Sequence, residues 1–152
     1  MKKLFVLLIV VTLLGVSCKG PEGAPGKNPE RFIVEYEVFS KDWKVVYEKD
    51  WYFFECELRF PELTNAIFTE GVVICYLAQD VTYDGGRSYT RVNSLMPYTV
   101  YGEYEDDGYL FPYSENYSVE IRPGYINFTV KYSDFAPDYL PPDRRFHVVM
   151  FW

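Results

Sequence analysis

Glu55 and Glu57 stand two residues apart in an alternating stretch, so both carboxylates leave the same face of one strand. Two carboxylates about 5–5.5 Å or 6.5–9.5 Å apart are the working parts of glycoside hydrolysis, one as acid and the other as nucleophile or base. With 22 acidic residues in 152, such a pair arises without any catalytic reason, and a solvated strand face is the favoured reading. His147, the single histidine, could serve as a base near neutral pH. Its alternation with Val149 and Phe151 points instead to a packed core position. A thiol–imidazole pair from Cys56 or Cys75 with His147 is chemically conceivable, but both cysteines fall inside strands, where thiols serve as inert packing. Asp80 with Asp84, and Asp106 with Asp107, read as loop carboxylates that could take Ca²⁺, yet neither pair has the alternating spacing of a calcium loop. The chain contains no Gly-X-Ser-X-Gly and no Cys-X-X-Cys. Neither a metal nor a cofactor is expected.

Aromatic side chains are the stronger chemical signal: 15 Tyr, 12 Phe and 3 Trp make up 20% of the chain, much of it core. Tyr101, Tyr104, Tyr109, Tyr113, Tyr125 and Tyr139 fall in turn-rich segments or on outward strand positions. Aromatic faces exposed on a rigid scaffold give large contact area at low entropy cost, which suits a surface for glycan or protein. The plainer reading is that tyrosine fits half-exposed strand positions.

The elements that must hold these residues are strands. From Phe32, the residues Phe32, Val34, Tyr36 and Val38 alternate with Glu35 and Glu37. Trp43, Val45 and Tyr47 repeat the pattern. Tyr52, Phe54, Cys56, Leu58 and Phe60 then oppose Glu55, Glu57 and Arg59, and Pro61 ends that strand because it lacks a ladder donor. Residues 63–70 read as the single short helix, with Thr64 as N-cap and Gly71 at C′. Residues 72–78 are apolar on both faces and belong in the middle of a sheet. Asp84-Gly85-Gly86 supplies positive-φ residues for a hairpin whose return strand covers 88–96. A second turn at 105–108 separates strands over 98–103 and 109–113. Around Pro123-Gly124, a two-residue loop sets Ile121 opposite Ile126, Val119 opposite Phe128 and Tyr117 opposite Val130, a register that a one-residue slip would undo. A proline-bearing loop over 133–143 leads to a last strand at 146–152. The fold expected is all-β: an antiparallel β-sandwich of about eight strands, immunoglobulin-like rather than barrel-like, with one short helix.

Ahead of this domain, which is assigned to 32–152, the chain opens Met1-Lys2-Lys3 and continues apolar over 4–16, broken by Thr12 and Gly15. That run is shorter than the roughly 20 residues a bilayer span takes. A positive start, a short apolar run and a small Ser17 mark residues 1–17 as a secretory signal peptide. Its removal would leave a chain of ordinary single-domain size. Loss of Lys2 and Lys3 would move the formal charge from −7 to −9. Such acidity argues against nucleic acid and anionic headgroups as partners. Cys56 and Cys75 would sit in an oxidising compartment where a disulfide is permitted, with unpaired thiols slightly favoured. Residues 18–31 read as a Gly/Pro tether in which Gly20, Gly23 and Gly26 give three Gly-X-Y triplets, too few for a triple helix. It would reach about 20 Å as a coil, or about 40 Å as polyproline II.

Leu14-Gly15-Val16-Ser17-Cys18 resembles the lipobox of bacterial lipoproteins, in its looser Bacteroidetes form. The resemblance implies lipid on Cys18: a diacylglycerol thioether with a second, amide-linked chain, and two such signals make anchoring stable. Lys19, where an aspartate would signal retention, implies the outer membrane. Further along stand Trp43, Pro61-Glu62-Leu63-Thr64, Gly71-Val72-Val73-Ile74-Cys75-Tyr76-Leu77, Met96-Pro97-Tyr98-Thr99, Pro123-Gly124-Tyr125 with Ser133-Asp134, and Phe146-His147-Val148-Val149-Met150. In this order they resemble a group of small Bacteroidetes envelope lipoproteins with a collagen-like stub after the lipidated cysteine. The resemblance covers 18–152, implies fold and address, and brings no catalytic residues. The expectation is an outer-membrane lipoprotein, periplasmic or surface-facing, held to the membrane through Cys18. Its sandwich would be a non-catalytic module binding glycan or protein through Tyr101, Tyr104, Tyr109, Tyr113 and Tyr125. The alternative is a small carboxylate-dependent hydrolase of the envelope. A module needs an exposed aromatic patch, an enzyme a concave pocket with converging, perturbed carboxylates.

Overall fold

The computed structural model describes residues 29–86, 88–134 and 139–152; the expected signal peptide, Cys18 and the tether up to residue 28 lie outside the described residues. The elements follow as β1 (Arg31–Val38), β2 (Lys44–Glu48), β3 (Trp51–Phe60), α1 (Asn65–Glu70), β4 (Val72–Tyr83), β5 (Ser88–Leu95), β6 (Tyr98–Asp106), β7 (Tyr109–Arg122), β8 (Gly124–Tyr132) and β9 (Arg144–Phe151). They build two antiparallel sheets, β1-β9-β4-β5 and β2-β3-β8-β7-β6. The all-β sandwich with one short helix is as expected, with nine strands among the described residues. β4 lies between β9 and β5, the central place its two apolar faces require.

Alternation decides which side chains fill the space between the sheets. Phe54, Phe60, Tyr117, Ile126, Phe128 and Val130 come from one sheet and Leu77, Phe146, Val148 and Met150 from the other, all fully buried. Phe128 stacks on Phe146 across the interface, with centroids 3.9 Å apart and planes at 10°. Trp43 meets the edge of Phe146 at 6.2 Å. Burying an aromatic ring of this kind stabilises the fold by about 2–3 kcal/mol, and this stack joins β8 of one sheet to β9 of the other.

The β7–β8 register is the one the alternation predicts: Ile121 faces Ile126, Val119 faces Phe128 and Tyr117 faces Val130. Gly124 takes φ 81°, the left-handed second position of a Pro-Gly turn, where a side chain would be strained. Pairings distant in sequence complete the sheets, with Cys56 opposite Phe128 and Phe32 opposite Met150. Glu30 and Trp152 exchange backbone hydrogen bonds of 2.9 and 3.1 Å, which extends the β1–β9 ladder by one pair.

Two expectations are corrected. The stretches 109–113 and 117–122 are one continuous strand, β7, because the polar residues between them still pair with β6 and β8. Helix α1 is capped by Thr64, whose Oγ1 accepts from the Ile67 N–H at 3.2 Å, but Gly71 is not left-handed (φ −93°). A Cβ at Gly71 would lie 2.7 Å from the carbonyl oxygens of Ile67 and Phe151. The glycine is there for close approach of helix and sheet.

Candidate functional site

β8 pairs with β7 only from Glu115 onward, while β6 and β7 pair all the way to Asp106 and Tyr109. The last turn of that hairpin therefore continues past the sheet as a two-stranded ribbon, reversed by Asp107 and Gly108 at φ 49° and 80°. One face of the ribbon carries Tyr104, Tyr109, Phe111 and Tyr113. Tyr104 stacks on Phe111 with centroids 5.4 Å apart at 23°, and Tyr113 follows at 6.3 Å. Tyr113 lies opposite Gly102, and its ring atoms come within 2.6 Å of where a Cβ would stand. A ring laid over a bare glycine restores the contact area the missing side chain would have given the ribbon. Desolvation first, then the carboxylates of Asp134 and Asp106, hold the Tyr104 hydroxyl above its ordinary pKa.

Where the ribbon joins the sandwich, charge enters the core. Glu115 is only 4% exposed. The Tyr117 hydroxyl donates to its Oε2 at 2.5 Å, and an Arg144 terminal nitrogen donates to the same oxygen at 2.7 Å. Arg144 Nε also donates to the Tyr117 hydroxyl at 2.6 Å. The three groups thus close a ring of hydrogen bonds between β7 of one sheet and β9 of the other. Burial, outweighing the nearby guanidinium, pushes the Tyr117 hydroxyl far above its ordinary pKa; Tyr132 is raised by burial and then by Glu115. Burial works to lower the pKa of Arg144, but the Tyr117 and Glu115 oxygens overcome it and raise the group. Beside this ring opens a cavity of about 200 Å³ lined by Tyr113, Glu115, Tyr132, Tyr139, Leu140 and Pro142.

The expected tyrosine surface divides. Tyr104, Tyr109 and Tyr113 share the ribbon face, and Tyr139 joins Tyr113 at the cavity. Tyr101, 82% exposed, is on the reverse face of the ribbon, one residue out of phase. Tyr125 belongs to the far end of β8 and lies under the Arg122 guanidinium at 4.8 Å from the ring centroid. Those two stand apart from the others because alternation, not proximity in sequence, sorts strand residues between faces.

The candidate chemical groups are held by structural partners. Glu55 accepts from Asn127 Nδ2 at 3.2 Å and Glu57 pairs with Arg122, around an open depression of about 320 Å³. Asp80 is a strand residue of β4 and not a loop carboxylate: Arg145 and Arg91 both reach it and hold its carboxyl below the ordinary range, the Arg145 hydrogen bond most strongly. His147 is corrected as well. It lies half-exposed on the outer face of its sheet, because Phe146, Val148 and Met150 take the inward phase of β9. Its Nδ1 is 3.3 Å from Asn93 Nδ2. Cys56 and Cys75 are buried free thiols, and burial raises the Cys75 thiol from 9.0 to about 11.

Sequence reasoning did not single out Glu115, Tyr117 and Arg144 as a group. A signal was available: Glu115 is in phase with Tyr117, Val119 and Ile121, and Arg144 with Phe146, Val148 and Met150. Opposite charges each sat one step beyond an apolar core run. Comparison of the chain with protein-family models, curated proteins and solved structures finds no match.

Proposed function

We propose that this chain is an outer-membrane-anchored envelope lipoprotein whose β-sandwich is a non-catalytic module binding a glycan or protein ligand. The observation that carries the reading is the ribbon face: Tyr104 stacked on Phe111, with Tyr113 beside them and Tyr109 71% exposed at the tip. Packed rings of this kind lose little entropy on binding and bring large contact area. The anchor rests on Cys18 and the lipobox-like residues before it. The alternative hydrolase would use Glu55 and Glu57, which Asn127 and Arg122 engage on an open strand face. That arrangement gives less support to an acid and a base than to a surface ion-pair network.

Two experiments test the two halves. Cys18→Ala should move the protein out of the membrane and detergent phases; partition like wild type after signal cleavage would refute the anchor. For the module, the full chain is presented to a glycan array and to envelope protein fractions. Tyr104→Ala, Tyr109→Ala and Phe111→Ala together should abolish whatever binding is seen. Binding indifferent to that triple change, or glycan turnover abolished by Glu55→Gln, would overturn the reading.

A further inference from the structure

At its other end β7 again outruns a neighbour. β6 begins at Tyr98, opposite Tyr117, so residues 118–122 have β8 on one side and, among the described residues, no strand on the other. The facing sheet is cut back in the same way. β5 ends at Leu95, opposite Tyr76, and beyond it only the Met96 N–H reaches β4, donating to the Cys75 carbonyl at 3.0 Å. Between the two bare edges opens an apolar groove of about 280 Å³, lined by Val73, Cys75, Leu95, Met96, Val119 and Ile121.

Alternation gives the same edge an opposite character on the outer face of its sheet. Glu55, Glu57 and Glu120 surround the open depression of about 320 Å³ with Arg122 and Asn127. Three carboxylates share one guanidinium there, and Arg122 is already engaged by Glu57 and lies over the Tyr125 ring. Among the described residues no three ligating side chains converge as a metal ion requires, so this charge is spread along the strands. Asn127 Nδ2 donates to Glu55, while its Oδ1 is buried with no hydrogen-bond partner. An acceptor stripped of water beside excess carboxylates is costly, and a cationic N–H donor relieves both conditions. Ile121 borders groove and depression alike, so the bare backbone of β7 runs between them.

A strand added to that edge sends alternate side chains to the two faces, one phase to the apolar groove and the other to the acidic depression. A second copy of this chain fits poorly. Its own 118–122, paired antiparallel over the full length, would set Glu120 against Glu120, and like charges directly opposite are destabilising. We propose that residues 118–122 are a strand-addition site for a partner polypeptide, a segment of about five residues in which apolar side chains alternate with Lys or Arg. Its backbone bonds to β7 in line with β6, its apolar phase fills the groove, and its basic phase lies over Glu120 toward Asn127. This site is separate from the ribbon face, and neither reading rests on the other.

The test titrates the full chain into fluorescein-labelled peptides and follows polarisation. The probe is Ser-Val-Lys-Val-Lys-Leu-Ser; its controls carry Glu for both Lys, or the scrambled order Ser-Val-Val-Leu-Lys-Lys-Ser. The basic alternating peptide should bind saturably, and both controls about tenfold or more weaker. N-methylation of the amides on one phase of the probe should abolish binding and on the other should spare it, because one side of the peptide bonds to β7. Glu120→Lys, at an exposed position, should reverse the preference between the basic and acidic peptides. Leu95→Asp, 58% exposed before the change, should weaken the basic peptide about tenfold without unfolding the domain. The ribbon triple change should leave peptide binding as in wild type. Absence of saturable binding, equal binding of the scrambled peptide, or indifference to N-methylation on either phase overturns the proposal. Binding lost with the ribbon triple change overturns it too, by moving the peptide to the ribbon. Self-association of the chain in sedimentation that Glu120→Lys abolishes would give the edge to a second copy and likewise overturn it.

Discussion

Arg144→Met should destabilise the domain far more than its place near the surface suggests. The substitution keeps the apolar stem and removes two donors, one to the Tyr117 hydroxyl at 2.6 Å and one to Glu115 at 2.7 Å. Glu115, with its side chain only 6% exposed, would keep the single Tyr117 bond and no counter-charge. Breaking a buried ion pair from one side costs about 3–5 kcal/mol. Because the Arg144 side chain is 22% exposed and water reaches that side, the lower end, about 3 kcal/mol, is expected. Glu115→Leu should cost less, about 2 kcal/mol, since the guanidinium left behind can turn its head toward solvent. The double variant Glu115→Leu/Arg144→Met removes both charges and should cost no more than about 1 kcal/mol. Urea unfolding of the four proteins closes the cycle, and the coupling expected is about 4 kcal/mol. For a domain of this size Arg144→Met alone should lower Tm by about 10–15 °C. Additive single costs, with the double variant about 5 kcal/mol below wild type, would show that the two charges are solvated and that the ring of hydrogen bonds does not exist as described.

Stability should be level at neutral pH and fall from about pH 9 upward. Cys75, Tyr117 and Tyr132 have native pKa values above their unfolded ones, so in that window the unfolded chain releases protons the native one keeps. Cys75→Ala and Tyr117→Phe should flatten the decline, and a pH–stability curve unchanged in both would refute the assignment. Phe128→Asp should unfold the domain, since it breaks the stack on Phe146 and buries an unpaired charge, a loss above about 4 kcal/mol. Thr129→Lys on the neighbouring phase should stay within about 0.5 kcal/mol; equal effects in urea would contradict the register. Cys56 and Cys75 should resist a thiol reagent in the native state and both react after unfolding without reductant, and silence after unfolding would mean a bridge.

What the sequence made legible is what alternation and short loops determine. The β7–β8 hairpin was readable because a two-residue loop leaves one register that pairs Val119 with Phe128. The partners of β1 and β3 were not, because nothing local says that Phe32 will face Met150 or Cys56 will face Phe128. His147 went to the wrong face because β9 is apolar on both phases, and only the choice of Phe146 for the inter-sheet stack breaks the tie. The tyrosine surface was half readable: Tyr104, Tyr109 and Tyr113 share a phase, while Tyr101 and Tyr125 were grouped with them by composition, which carries no phase. Glu115 was passed over because Ser114-Glu115-Asn116 looks like a loop when composition is weighed above periodicity.

The closure of β1 onto β9 through Glu30 and Trp152 has a mechanical consequence. The chain enters β1 at Arg31, beside Phe151, whereas Val38 and Arg144 mark the end of the same ladder nearest Glu115 and the ribbon. A protein held by its N-terminal segment and pulled at the ribbon would carry tension along that ladder, not across it. Nine residue pairs over about 30 Å would then resist together in shear, where an edge strand pulled sideways would peel one hydrogen bond at a time. Anchored in this way, the domain would meet a pull away from the surface with the whole of that ladder rather than with one bond of it.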